Sequence, residues 1–204
     1  MKNVIKHLRK GILMVTIFAT TLSFANEVSV FTIKNEADKT SLTLTDVKKG
    51  GNLLSIKDEN GIVLYKEFIQ RSGSYTKGFD LTELPNGAYL FEVDKDVEIS
   101  IIPFTVEADS VTFDEAGEKV IYKPVTRVVG DLLYVTKLSL DEAPLEIDIY
   151  FESDEVNGSS ESVYSEKIEN SKIIERVYKL EDIKDGKFEI VCHSEGRIFT
   201  KTIN

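Results

Sequence analysis

One fifteen-residue pattern is written twice in this chain, ninety-nine residues apart: FDLTELPNGAYLFEV from Phe79 to Val93 and YKLEDIKDGKFEIVC from Tyr178 to Cys192. At that offset Phe79 meets Tyr178, Leu81 meets Leu180, Leu84 meets Ile183, Gly87 meets Gly186, Tyr89 meets Phe188, Phe91 meets Ile190 and Val93 meets Cys192. Each of these seven positions is matched in kind, so a core built by one stretch is also built by the other. Upstream, Tyr65, Glu67 and Ile69 fall on Tyr164, Glu166 and Ile168 at the same spacing, whereas Ile56 aligns with Ile149 at an offset of ninety-three. The second copy therefore carries six extra residues in ESDEVNGSSES, its counterpart of the DENG turn. Insertions belong in loops rather than paired strands, so two like-built units are expected.

Within each copy the apolar period is two. Tyr89, Phe91 and Val93 alternate with Leu90, Glu92 and Asp94, as Phe188, Ile190 and Cys192 do with Glu189, Val191 and His193; this is the signature of half-buried strands. Asp58-Glu59-Asn60-Gly61 reads as a hairpin turn in which Asn-Gly supplies positive φ angles, and Asn86-Gly87 and Asp185-Gly186 read as similar turns before the next strand. SEKIENSKIIERVYKL has helical spacing at Ile173, Val177 and Leu180, but its partner segment contains Gly73 and Gly78, which disfavour a helix. A shared fold makes both extended. Further strands are expected in VSVFTI, SLTLTDV and ISIIPFTV of the first copy, and in KVIYKP, LLYVTKLSL, LEIDIYF and RIFTKTI of the second. Many short strands with frequent turn signals point to an all-β fold of two tandem immunoglobulin-like antiparallel β-sandwich domains. They are expected over residues 26–108 and 109–204, with the boundary near Glu107 to Asp114.

Residues 1–25 read as a signal peptide: Lys2, Lys6, Arg9 and Lys10 precede an apolar run from Ile12 to Leu22 and then Ser23-Phe24-Ala25. The run is short of the roughly 20 residues that a membrane span needs, and no later segment is apolar enough, so the mature chain is expected to have no membrane span. Export places the protein in the periplasm, at the cell surface or outside the cell. Cleavage after Ala25 changes 25 basic against 35 acidic residues to 21 against 35, a formal charge of −14. That balance argues against nucleic acid, which is bound through clustered Lys and Arg. The single cysteine, Cys192, forms no intramolecular disulfide and, standing at the place of Val93, is read as a small buried hydrophobe.

No residue pattern designates a catalytic, cofactor or metal site. His193 is the only histidine left after cleavage, and with Ser194 and Glu195 beside it in sequence the three do not form a triad, because neighbours on a strand point to opposite faces. One cysteine beside one histidine has no zinc-ligand spacing. Glu152-Ser153-Asp154-Glu155 and Asp94-Lys95-Asp96 carry carboxylates suited to calcium but fit no EF-hand pattern, and are read as solvated turns. Tyr65, Tyr75, Tyr150 and Tyr164 are the aromatics that could stack on a sugar, with Tyr75 in RSGSYTKG the best exposed of them and the others expected in the core or in cross-strand pairs.

Two stretches, SIKDENGIVLYKE and FDLTELPNGAYLFEV, together with the closing GRIFTKTI, resemble the sorting domains that end many proteins exported by the type IX secretion system of Bacteroidota. Here one copy is internal and no separate cargo precedes it, so the whole chain looks more like the small duplicated exported proteins of flavobacteria. The resemblance implies a β-sandwich and an envelope location, and no activity. The leading expectation is a non-catalytic exported protein acting as an interaction or structural module, with an envelope protein or glycan as partner, reached through loops or an exposed sheet edge. The alternatives are a cargo or accessory of the type IX pathway, a carbohydrate-binding module, and a hydrolase using carboxylates that the sequence does not identify.

Overall fold

The computed structural model describes residues 31–36, 39–47, 52–153, 160–181 and 186–203; the signal peptide, Ile183 and Asp185 lie outside them. The chain divides into two compact units that meet between Tyr122 and Lys123. Each is an immunoglobulin-like sandwich. The first contains β1 (Phe31–Glu36), β2 (Lys39–Val47), β3 (Asn52–Asp58), β4 (Val63–Ile69), β5 (Gly73–Phe79), β6 (Gly87–Asp94), β7 (Glu98–Glu107), β8 (Ser110–Phe113) and β9 (Lys119–Tyr122). Its sheets run β1-β2-β5 and β4-β3-β6-β7-β8, with β9 also on β7. The second contains β10 (Val125–Val129), β11 (Leu132–Leu138), β12 (Leu145–Ser153), β13 (Ser160–Ile168), β14 (Ile173–Lys179), β15 (Gly186–Ser194) and β16 (Arg197–Ile203). Its sheets run β10-β11-β14 and β13-β12-β15-β16.

Strand for strand, β1 to β7 and β10 to β16 have the same order and the same antiparallel pairings, and the register repeats residue by residue. Ile56 pairs with Tyr65 and Phe91, and Ile149 pairs with Tyr164 and Ile190. Each copy even bulges at the same place: the register slips after Ile56 and after Ile149, leaving Leu64 and Val163 without a cross-strand partner. A bulge adds one residue to one strand and increases its twist. Its recurrence shows that the two copies share backbone geometry as well as apolar pattern. The six extra residues of the second copy lie between the aligned Ile149 and Tyr164: two lengthen β12, two lengthen β13 and two fall between the strands. Residues 166–180, open to a helical reading, form the end of β13, a connection through Asn170 and β14.

The cores are the aligned residues. Leu42, Leu54, Phe91, Val93 and Phe104 fill the first, and Val135, Ile147, Ile190, Cys192 and Leu180 fill the second. Cys192 takes the place of Val93, as expected. The hydroxyl of Tyr89 donates to the Pro85 carbonyl at 2.7 Å, a tyrosine-corner contact of the immunoglobulin-like kind that ties the incoming turn to the start of its strand.

Three expectations need correction. The domain boundary lies after Tyr122 rather than near residue 108, and KVIYKP contributes its strand, β9, to the first domain. β8 pairs with Phe104–Glu107 and β9 with Glu98–Ile101 on the same side of β7. Pro103, which has no N–H to offer, falls in the gap between them, and its carbonyl accepts from the Asp114 amide at 3.0 Å. In the DENG turn only Gly61 takes a positive φ, +80°; Asn60 does not, because the Asp58 carboxylate holds the turn by accepting from the amides of Asn60 and Ile62. Gly87 and Gly186 open strands rather than bend turns. Gly186 is needed for space, since a Cβ there would stand 2.2 Å from the Glu152 carbonyl oxygen and 2.8 Å from the Phe151 ring.

Candidate functional site

The repeated Tyr-x-Glu of β4 and β13 proves to be a structural device. In the first domain Lys77 of β5 reaches from the three-stranded sheet to Glu67 of β4 in the other sheet at 2.5 Å, and the Tyr65 hydroxyl donates to the same carboxylate oxygen. In the second, Arg176 of β14 donates from Nε to Glu166 of β13 at 3.1 Å, joined by the Tyr178 hydroxyl. Tyr65 packs edge-on against Phe79 at 5.4 Å, and the equivalent rings of Tyr164 and Tyr178 lie 5.1 Å apart. Each copy thus joins its two sheets along one open side with an acid, a cation and an aromatic pair.

The electrostatics follow from that geometry. Hydrogen bonds from Lys77 and then Tyr65 hold the Glu67 carboxyl down at about 2, and its partner Lys77 is raised by the same carboxylate. Burial, then the hydrogen bond to Glu67, pushes Tyr75 up to about 12; burial and then Glu166 raise Tyr178. Tyr75 is therefore not the exposed aromatic that its glycine-flanked segment suggested. Gly73 and Gly78 lie within β5, and the ring packs against the core. Tyr65 and Tyr164 are likewise committed to their clusters, so the sugar-stacking candidates are not gathered on one face.

The remaining sequence candidates are also placed. His193 lies on the outward face of β15, 3.7 Å from Asp148. Ser194 is buried and donates to the Pro144 carbonyl at 2.9 Å, and Glu195 accepts from the buried Lys137 at 3.2 Å. The three do not converge. Burial, then Asp148, pushes the Cys192 thiol up to about 12, so this cysteine is chemically quiet. Lys95 pairs with Glu98 at 2.7 Å. Asp154 and Glu155 lie outside the described residues. Among the described residues no group of three or more His, Cys, Asp or Glu side chains could hold a metal ion, and no helix is long and apolar enough to cross a membrane.

What does form a concave surface is the outer face of the β10-β11-β14 sheet. Val125, Arg127, Tyr134, Thr136, Glu175 and Val177 line a groove of about 400 Å³, to which Arg176 of the cross-sheet cluster also contributes. The Arg127 guanidinium lies over the Tyr134 ring, 5.1 Å from its centroid, an arrangement that stiffens both side chains. The groove thus offers apolar walls, one aromatic edge, a cation and a carboxylate. The equivalent described positions of the first domain carry different side chains. By the repeat register Arg127, Tyr134, Thr136, Glu175 and Val177 correspond to Lys34, Ser41, Thr43, Thr76 and Gly78, and two of these, Thr43 and Thr76, simply meet through their hydroxyls at 3.1 Å. Sequence inspection passed over Tyr134 because LLYVTKL alternates like any half-buried strand; aligning the copies at ninety-three residues, where Tyr134 meets Ser41, would have singled it out.

No protein-family model matches the sequence, and no curated protein matches it. Among solved structures the chain is similar to the FN1-FN3 domains of chicken CNTN1 at 10% identity, with a TM-score of 0.27, over 83% of this chain and 63% of that one. The chain thus spans less than two thirds of that structure's length.

Proposed function

We propose that this is an exported, non-catalytic protein that serves as an interaction module of the cell envelope and holds a partner in the groove on the second domain. The single observation behind the reading is the divergence of the two copies. Both keep the skeleton, the bulge and the cross-sheet cluster, so none of these needs Tyr134 over Ser41 or Val177 over Gly78. Tyr134, Arg127 and the exposed Val125 on an outer sheet face, beside a Val177 that is itself buried, are not required by the fold, and apolar concavities of this kind accompany binding. The partner that suits the groove presents an apolar side chain between hydrogen-bonding groups, such as a loop or extended segment of another envelope protein. The titratable clusters described above are occupied with one another, which supports a binding role over hydrolysis.

The test is site-specific photo-crosslinking in the native envelope, with benzoylphenylalanine at Tyr134 and, as control, at Ser41. A discrete adduct from position 134 that is absent from 41 and lost in Arg127→Glu is the expected result. Equal labelling from both positions, or turnover of a glycan or peptide substrate that a single carboxylate substitution abolishes, would overturn it.

A further inference from the structure

The second divergence between the copies lies on an edge strand. β4 ends the six-stranded sheet, and among the described residues only β3 pairs with it. Ile62, Val63, Leu64 and Phe68 expose 60%, 48%, 47% and 55% of their surfaces. Their counterparts at the matching edge of the second domain are Glu161, Ser162, Val163 and Lys167, with Val163 packed onto its core and Lys167 paired with Glu169 at 2.6 Å. Polar and charged residues on an edge strand guard against pairing with another chain, and an exposed apolar edge invites it. Both edges carry the bulge, and β4 keeps Lys66, but at positions 62, 63 and 68 the first domain has apolar side chains where the second has the polar guard.

We infer that β4 is a self-association edge, pairing antiparallel about a two-fold axis with β4 of a second copy of this chain. The strand is self-complementary. With Tyr65 on the axis, Phe68 of each copy faces Ile62 of the other and Lys66 faces Leu64, so neither Lys66 nor Glu67 meets its own charge; one step further along, Lys66 would face Lys66. The contact is isologous and leaves no second β4 free, so it closes at two rather than growing into a fibre. The half-exposed apolar side chains and the strand backbone together cover on the order of 1,000 Å², at the low end for a specific interface, so the dimer is weak and concentration-dependent. The acidic chain, with a formal charge of −10, repels its copy at long range, and added salt screens that repulsion while leaving the apolar contact intact. The inference does not depend on the groove: it concerns a different domain, and either can fail alone.

Sedimentation equilibrium of the purified protein provides the test. The account expects monomer at about 5 μM, substantial dimer at about 500 μM, and more dimer in about 0.5 M than in about 0.02 M NaCl. A triple variant that gives β4 the second copy's residues, Ile62→Glu, Val63→Ser and Phe68→Lys, should remain monomeric throughout with unchanged circular dichroism. Amide hydrogen exchange of the unaltered protein should show protection of residues 63–69 that rises with concentration, a readout independent of whether the variant folds. A monomer at every concentration, a dimer that the triple variant retains, or protection that appears elsewhere would each overturn the inference.

Discussion

The second domain contains a lysine where the first has a leucine, and that difference yields a sharp test of the packing. Lys137 occupies the inward position of β11 that Leu44 holds in β2. Its side chain is fully buried, and its ammonium donates to Glu195 at 3.2 Å and to the Leu138 carbonyl at 3.3 Å, with Glu195 itself only 6% exposed. Removing one partner of a buried pair strands the other charge and costs about 3–5 kcal/mol, whereas replacing the pair with groups that need no charge is often close to neutral. Glu195→Gln keeps the shape of the side chain and removes its charge. For a domain of this size each kcal/mol moves the midpoint by roughly 4–8 °C, so the second domain's thermal transition should fall by about 12 °C or more. Lys137→Leu combined with Glu195→Gln should recover most of that loss, since it installs the residue that the first copy already uses. Calorimetry, with the first domain's transition as internal reference, gives the reading. A shift of less than about 2 °C in the single variant would show that the ammonium is hydrated, and a double variant as unstable as the single would show that the charge is not what the carboxylate offsets.

Three further outcomes follow from individual contacts. Gly186→Ala should destabilise the second domain by about 1–3 kcal/mol, because the added carbon meets the Glu152 carbonyl and the Phe151 ring; Gly87→Ala, whose nearest neighbour is 3.6 Å away, should change the first domain far less, as urea titration of the pair would show. Glu67 is held at about 2, below its ordinary 4.5, so it contributes stability that is complete above about pH 4.5 and is lost as pH falls towards 2. Glu67→Gln should flatten the first domain's stability over that window and leave the second domain's acid response unchanged. Cys192, with its thiol pushed up to about 12, should resist a disulfide reagent at pH 8 in the folded protein and react fully in denaturant, followed by absorbance.

Much of this architecture was legible because a strand advertises itself through alternation, and a duplicated strand does so twice. The register inferred from Ile56 and Ile149 is the one the sheets adopt, and the placement of Cys192 follows from Val93 alone. The boundary was not legible in the same way. β8 and β9 extend the β7 edge, the corresponding edge strand β16 carries no such addition among the described residues, and a segment outside the repeat offers nothing to align. Tyr75 misled because glycines usually mark loops, yet Gly73 and Gly78 sit in an edge strand whose partner side chains cross to the other sheet. The groove was invisible for a different reason: which face of a sheet is solvated, and whether that face is flat or hollow, depends on neighbours that are distant in sequence.

The account rests on two copies of one sandwich that share a register. The most direct measurement is a set of cross-strand nuclear Overhauser contacts in the isotope-labelled protein. Ile56 should show contacts to Tyr65 and Phe91, and Ile149 to Tyr164 and Ile190, with the pairing slipping at Leu64 and Val163 alike. A second set displaced by one residue, which would turn Ile149 and Cys192 outward, or contacts joining the two sets into a single core, would contradict the duplication and the surface comparison drawn from it.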